Sequence, residues 1–240
     1  MLHTAISHAK TKNSVSYAQH YLDIISLEPK WVVIEKKHII YHFQDTTGKA
    51  ATIIAYIAAH EAAYEKINKV FEAKLPVKLA FYIWNDRELA GKVLHHELGF
   101  TQPEKCIAQV HINQTVGHEM THALSYWAWG VKPTTTTQFI NEGVAVAFDE
   151  EHSDKYAKAQ KAVAGKNYHS VLEIWNGSNV GEDIIYPVGG AFVSMLYEKG
   201  TPAQFRQIIK KQSPEDAAKI YGNDAFARMV DEFNNKIGLR

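Results

Sequence analysis

The stretch Thr115–Trp127, TVGHEMTHALSYW, sets two histidines four residues apart, with a glutamate directly after the first. In an α-helix, residues i and i+4 stand one turn apart on the same face, so His118 and His122 can aim ring nitrogens at a common atom. Such a pair chelates Zn2+, which takes imidazole nitrogens at about 2.0–2.1 Å. Glu119 lies on the neighbouring edge of that face, where it can reach a metal-held water without being a ligand. The spacing points to metal-assisted hydrolysis. The competing reading is an amphipathic helix that carries two of the chain's 13 histidines. Two near misses show the hazard: HEAAY from His60 and HELGF from His96 have Tyr64 and Phe100 where a second ligand would stand.

A catalytic zinc usually has three protein ligands and one open position. Glu142, in QFINEGVAVAF, is the candidate for the third. Nineteen residues separate it from His122, with a helix stop at WGVKP and a new start at TTTT between them. That length lets a second helix return alongside the first. The neighbours of Glu142 are apolar or small, and a carboxylate on a core-facing helix is costly unless paired or metal-bound. A Glu142 on the solvent face is the alternative. Gly143 and Ala145 suit a close approach of two helices. A second group of interest is IIYPVGGAFVSML, residues 184–196. Pro187 suits the first turn of a helix, Gly189 and Gly190 permit tight packing, and Tyr186 stands just before.

These residues need a scaffold, and the hydrophobic pattern supplies one. The segment 30–45, KWVVIEKKHIIYHFQD, reads as two strands of a hairpin. Residues 49–73 repeat apolar side chains at helical spacing (Ile53, Ile57, Tyr64, Ile67, Phe71) with no Pro or Gly inside, which predicts a long helix. Strands are predicted at 76–86 and 105–113, and a short helix at 14–27. From Asn113 onward the pattern turns helical: 114–128, capped by Asn113, then 134–150, 153–163, 168–176, 184–199, 202–211 and 214–237 with a break near Gly222. The expectation is one α+β domain over 1–240, with a mixed lobe at 1–113 and an all-helical lobe at 114–240. The motif helix opens the helical half.

Composition narrows the partners. Lys+Arg and Asp+Glu both number 26, so no basic excess exists to neutralise phosphates, and no nucleic-acid partner is expected. No apolar run is long enough to span a bilayer. The first residues lack a basic start followed by an apolar core, so no signal peptide is expected. That leaves a cytoplasmic protein, or a secreted one after loss of a signal. One cysteine, Cys106, allows no internal disulfide, so any metal would be held by histidine and carboxylate.

GHEMTHAL followed by NEGVA resembles the gluzincin branch of the zinc metallopeptidases, and most nearly the small peptidase-MA-like proteins. The similarity spans roughly 76–200. It implies a zincin-like fold, with the active-site helix between a mixed lobe and a helical lobe. It implies Zn2+ held by His118, His122 and Glu142, with Glu119 as general base in the hydrolysis of a peptide or protein substrate. It also implies a tyrosine that stabilises the oxyanion; Tyr186 is the candidate, a packed core tyrosine is the alternative, and Tyr168, His169 and His111 are weaker ones. In thermolysin-type enzymes an Asp one turn after the ligand glutamate supports a histidine; here that position is Val146, which leaves Asn141 or Asp149. The glycine-rich motif of the related aminopeptidases is absent. The strand at 105–112 would correspond to the edge strand that pairs with substrate, or else be a plain internal strand. A catalytically inactive, zinc-stabilised peptide- or protein-binding domain is the alternative function, and the intact Glu119 argues against it.

Overall fold

The computed structural model describes Leu22, Ser26 and residues 31–130, 133–134, 136–151 and 153–239. The helix expected at 14–27 lies outside the described residues, except for Leu22 and Ser26, which are helical. The protein is α+β, with one five-stranded mixed sheet and ten α-helices among the described residues. No described helix is long and apolar enough to cross a membrane. The chain divides into two compact units. One holds the residues up to Glu61 and Val77–Gln114; the other holds Ala62–Pro76 and Thr115 onward.

In the first unit the strands are β1 (Val32–Glu35), β2 (Ile39–Phe43), β3 (Leu79–Trp84), β4 (Phe100–Gln102) and β5 (Ile107–His111), in the order β1-β2-β3-β5-β4. The hairpin read from 30–45 is present, with β1 antiparallel to β2. β2, β3 and β5 run parallel, and β4 returns antiparallel to β5. Alternation puts Ile39, Tyr41, Phe43, Leu79, Phe81, Ile83, Ala108 and Val110 on one buried face. That face packs on the first part of helix α1 (Ala50–Phe71), where the Tyr56 ring meets Tyr41 and Phe43 and the His60 ring meets Phe81. The other face carries Trp84, packed with Trp31 and with Ala90 and Leu94 of α2 (Arg87–Leu94). The Trp84 indole N–H donates to Gln109 Oε1 at 2.7 Å, which satisfies both buried polar groups.

The order of strands decides between the two readings of 105–112 in favour of an internal strand. β5 is not an edge strand: β3 pairs with it on one side, and β4 covers Ile107–Gln109 on the other. The edge on that side is β4, antiparallel like β1 at the other edge, and its three residues carry too little pattern to be read from sequence. α2 also goes beyond the sequence reading. Asp86 caps it by accepting from Leu89 N at 3.0 Å, but Gly91 inside it weakens the local signal.

The second unit contains the rest of α1 and helices α3 (His118–Tyr126), α4 (Gln138–Phe148), α5 (Lys155–Val163), α6 (Val171–Asn176), α7 (Glu182–Lys199), α8 (Pro202–Lys211), α9 (Pro214–Tyr221) and α10 (Asn223–Ile237). An aromatic core of Phe139, Trp175, Phe192, Phe226 and Phe233 joins α4, α6, α7 and α10. A second cluster of Phe71, Phe148, Tyr197 and Phe205 joins α1, α4, α7 and α8. α4 and α7 touch backbone to backbone. A Cβ added to Gly143 would stand 2.8 Å from Gly189 C and O, and one on Gly189 would stand 2.8 Å from Phe139 O. The small residues read as packing positions are what this approach requires.

Candidate metal centre

α3 starts one residue before its first buried side chain. Gly117, not Asn113, holds the N-cap position, with φ 96°, a left-handed backbone that favours glycine. A side chain there would also be tightly placed: a Cβ would lie 3.1 Å from Ile67 Cδ1 and 3.3 Å from Asp149 Cα. His118 is therefore the first residue of the helix and Glu119 the second. Met120, Ala123 and Leu124 bury the opposite side completely. The Glu150 N–H donates to Val116 O at 2.9 Å, which ties the entry of α3 to the end of α4.

α4 is capped by Thr137, whose hydroxyl accepts from Ile140 N at 3.3 Å. One and a half turns on, Glu142 faces α3. Its Oε2 lies 3.4 Å from His118 Nε2 and 3.4 Å from His122 Nε2. One ligand atom from each of the three residues falls within 4.8 Å of the other two, and the side chains are only 12–17 % exposed. Ligand atoms about 2.0–2.1 Å from one centre at tetrahedral angles stand roughly 3.3–3.4 Å apart, the spacing observed from Glu142 to each ring. The same Oε2 is buried without a hydrogen-bond partner. A buried carboxylate oxygen of that kind needs a cation or a proton donor. The donor set and the spacing fit a small divalent ion.

The electrostatics agree with this arrangement. Burial alone would raise the Glu142 pKa, but the two imidazoles overcome it and hold the carboxyl well below the usual range. Burial likewise opposes a charged His122; Glu142 and then Glu119 outweigh it and raise its pKa. Glu119 is buried, at 3 % exposure, and close enough to both His122 and Tyr186 for its charge to be felt there.

Tyr186 does not precede its helix. α7 begins at Glu182, so Tyr186 and Pro187 both lie inside it, in the second turn. The Tyr186 ring stacks on His118, with centroids 5.8 Å apart and planes 5° apart. Burial raises the phenol pKa first. The Glu142 carboxylate, close enough to accept from the hydroxyl, raises it further. Of the two candidates for supporting a histidine, Asn141 is engaged by Gln212, whose Nε2 donates to its Oδ1 at 2.9 Å. Asp149 is the one within electrostatic reach of His118. Burial raises its pKa, against the opposing effects of Lys155, the Glu151 N–H and His118. Lys155 Nζ stands 3.3 Å from Asp149 Oδ1 and donates to Val146 O at 2.6 Å.

The remaining histidines have other surroundings. His60 is buried, with Nδ1 2.8 Å from Tyr56 O, and desolvation lowers its pKa to about 4. His96 is exposed and bonds Glu97 O at 2.8 Å. His111 ends β5, and exposed His169 bonds Glu173 through its backbone N–H. Neither His111, His169 nor Tyr168 joins the three-residue group. Sequence reasoning missed Lys210 and Gln212, both buried. For Gln212 a signal existed: with Phe205, Ile208 and Ile209 it completes the i, i+3, i+4, i+7 face of α8. For Lys210 there was none. Compared with known proteins, the chain matches no family model, and no curated protein matches it significantly.

Proposed function

We propose that the protein is a zinc-dependent peptidase of gluzincin type on a zincin-like fold, with His118, His122 and Glu142 as the metal ligands. The observation that carries this reading is the equal 3.4 Å spacing of Glu142 Oε2 from both imidazoles, with that oxygen buried and otherwise unpartnered. Nitrogen and carboxylate donors in a three-residue set leaving one position open are the donor type of catalytic zinc. Zinc held there would supply a water activated near neutral pH and polarise a scissile carbonyl. Glu119, next to His118 on the same turn, would serve as general base, its carboxylate holding a proton and delivering it to the leaving amine. Tyr186 donates its hydroxyl to the carbonyl oxygen as negative charge develops there. Asp149 sets the charge beside His118, a task given to carboxylates around metal-held histidines.

Two variants test the assignment. The purified protein should carry about one zinc per chain, and His122→Ala should carry none. Glu119→Gln should keep the zinc and lose at least 10²-fold in cleavage of a peptide library, the size of a general-base contribution. Zinc-free parent protein prepared without chelators would refute the metal centre. A zinc-loaded parent that cuts no peptide would refute the peptidase and favour a zinc-stabilised binding domain.

A further inference from the structure

The two ligand-bearing helices are held from outside by one short segment at the end of α8. Gln212 has a left-handed backbone (φ 56°) and a side chain turned inward, 2 % exposed. All of its polar groups are used. Oε1 accepts from Thr137 N at 2.6 Å, and Nε2 donates to Asn141 Oδ1 at 2.9 Å and Ile209 O at 3.0 Å. Its carbonyl accepts from Thr137 Oγ1 and from the Trp175 indole N–H. Thr137 is the N-cap of α4 and Asn141 directly precedes Glu142. Gln212 therefore grips the helix that presents Glu142 at its cap and at the ligand's neighbour.

Two residues earlier, Lys210 grips the other helix. Its Nζ donates to Ser125 O and Tyr126 O, both at 3.3 Å, at the C-terminal end of α3. These carbonyls lie in the last turn, where intrahelical partners run out and the helix dipole favours a cation. Lys210 O in turn accepts from Thr134 N and Thr134 Oγ1, both at 2.9 Å, in the connection between the two helices. A buried ammonium and a buried amide are costly in a helix end that needs only to cover a core. Here every bond they make goes to α3, to α4, to the loop joining them, or to α8 itself.

We propose that Lys210 and Gln212 are positioning residues that fix the spacing between α3 and α4, and so the separation of Glu142 from the two histidines. The proposal rests on the metal-centre reading above. It makes affinity for the ion, rather than stability alone, depend on a side chain that touches no ligand. Gln212→Met keeps the volume and removes every side-chain hydrogen bond; Asn141→Ala breaks the same link from its more exposed end.

The test is zinc affinity by competition with a chromophoric chelator, together with the visible spectrum of the Co2+-loaded protein. Native circular dichroism and cooperative unfolding of the metal-free variants serve as the control for folding. Gln212→Met should bind zinc about 10–100-fold more weakly, the usual loss when an outer partner of a metal site is removed. Its Co2+ bands should be shifted or weakened, and Asn141→Ala should move both readouts the same way. If the metal-free variants lose stability while zinc affinity stays within twofold of the parent and the Co2+ spectrum is unchanged, the role is structural and the proposal falls. Should Gln212→Met not fold, the same criterion applied to Asn141→Ala decides. A parent that binds neither zinc nor cobalt overturns the metal centre and this proposal together, a result distinct from equal affinities in parent and variants.

Discussion

Replacing Gly143 with alanine is a severe test of how the centre is built, because the usual effect of the change has the opposite sign. In an unobstructed helix interior, Gly→Ala stabilises by about 0.5–1 kcal/mol through the lost freedom of the unfolded chain. At Gly143 the new methyl would stand 2.8 Å from Gly189 C and O and 2.9 Å from Val193 Cγ2. Carbon contacts are comfortable at about 3.5–4.0 Å, so α4 and α7 must part by roughly 0.7 Å. Two of the three obstructing atoms are backbone, which no rotamer change can move. Overpacking of this kind costs about 1–3 kcal/mol, and the net expectation is a loss of about 1–2 kcal/mol. For a chain of this length that is a fall of roughly 2–8 °C in melting temperature. Because Glu142 is the adjacent residue, zinc affinity should fall as well. Gly91→Ala is the matched control. Gly91 lies inside α2 with nothing within 4 Å of its would-be Cβ, and it should gain about 0.5–1 kcal/mol. Urea unfolding of the three proteins followed by circular dichroism reads both effects. A Gly143→Ala protein as stable as the parent would refute the account of the α4–α7 contact.

Two further outcomes are expected. Desolvation lowers the Lys210 pKa from 10.5 to about 8, so between those values the unfolded chain holds a proton that the native protein has lost. Stability from this group therefore rises with pH through that window, and the parent should gain about 1–3 kcal/mol on Lys210→Met between pH 7 and pH 10.5. Parallel pH profiles of urea midpoint for the two proteins would contradict it. Tyr186→Phe should lower peptide turnover by about 10²–10³-fold with zinc content unchanged, the loss typical of one oxyanion donor. Equal turnover would return Tyr186 to a packing role beside His118.

What could be read from the sequence was what is local. The histidine pair and Glu119 lie within one turn and a half, so their common face follows from helix geometry alone. Glu142 could be found because a carboxylate amid Phe139, Ile140, Val144 and Ala145 contradicts its surroundings. The long helix at 50–71 and the 30–45 hairpin had periodicity and length on their side. The place of β5 in the sheet was not legible, because strand order depends on pairing between segments far apart, and β4 is three residues long. The start of α7 was misplaced because Pro187 reads as a first-turn residue, yet the helix tolerates it in the second turn. That Asn141 is engaged elsewhere was not legible either, because its partner Gln212 lies 71 positions further along.

That distance also orders events as the chain is made. All three candidate ligands have left the ribosome's catalytic centre once residue 142 is added, but the groups that lock their helices have not. Gly189 completes the backbone contact behind Glu142, and Lys210 and Gln212 close the ends of both helices, the first across 85 positions from Ser125. At about 5–20 residues per second, the ligands wait roughly 4–14 s for Gln212. During that interval the nascent chain displays two histidines and a carboxylate on helices that the Glu150–Val116 bond can join at one end but that Gly189, Lys210 and Gln212 do not yet hold. A fragment ending before α8 would keep all three candidate ligands and lack the two side chains proposed to space them. On the proposed metal-centre reading, the spacing of the three candidate ligands is complete only with the C-terminal third, so an ion would join a nearly finished fold rather than seed it.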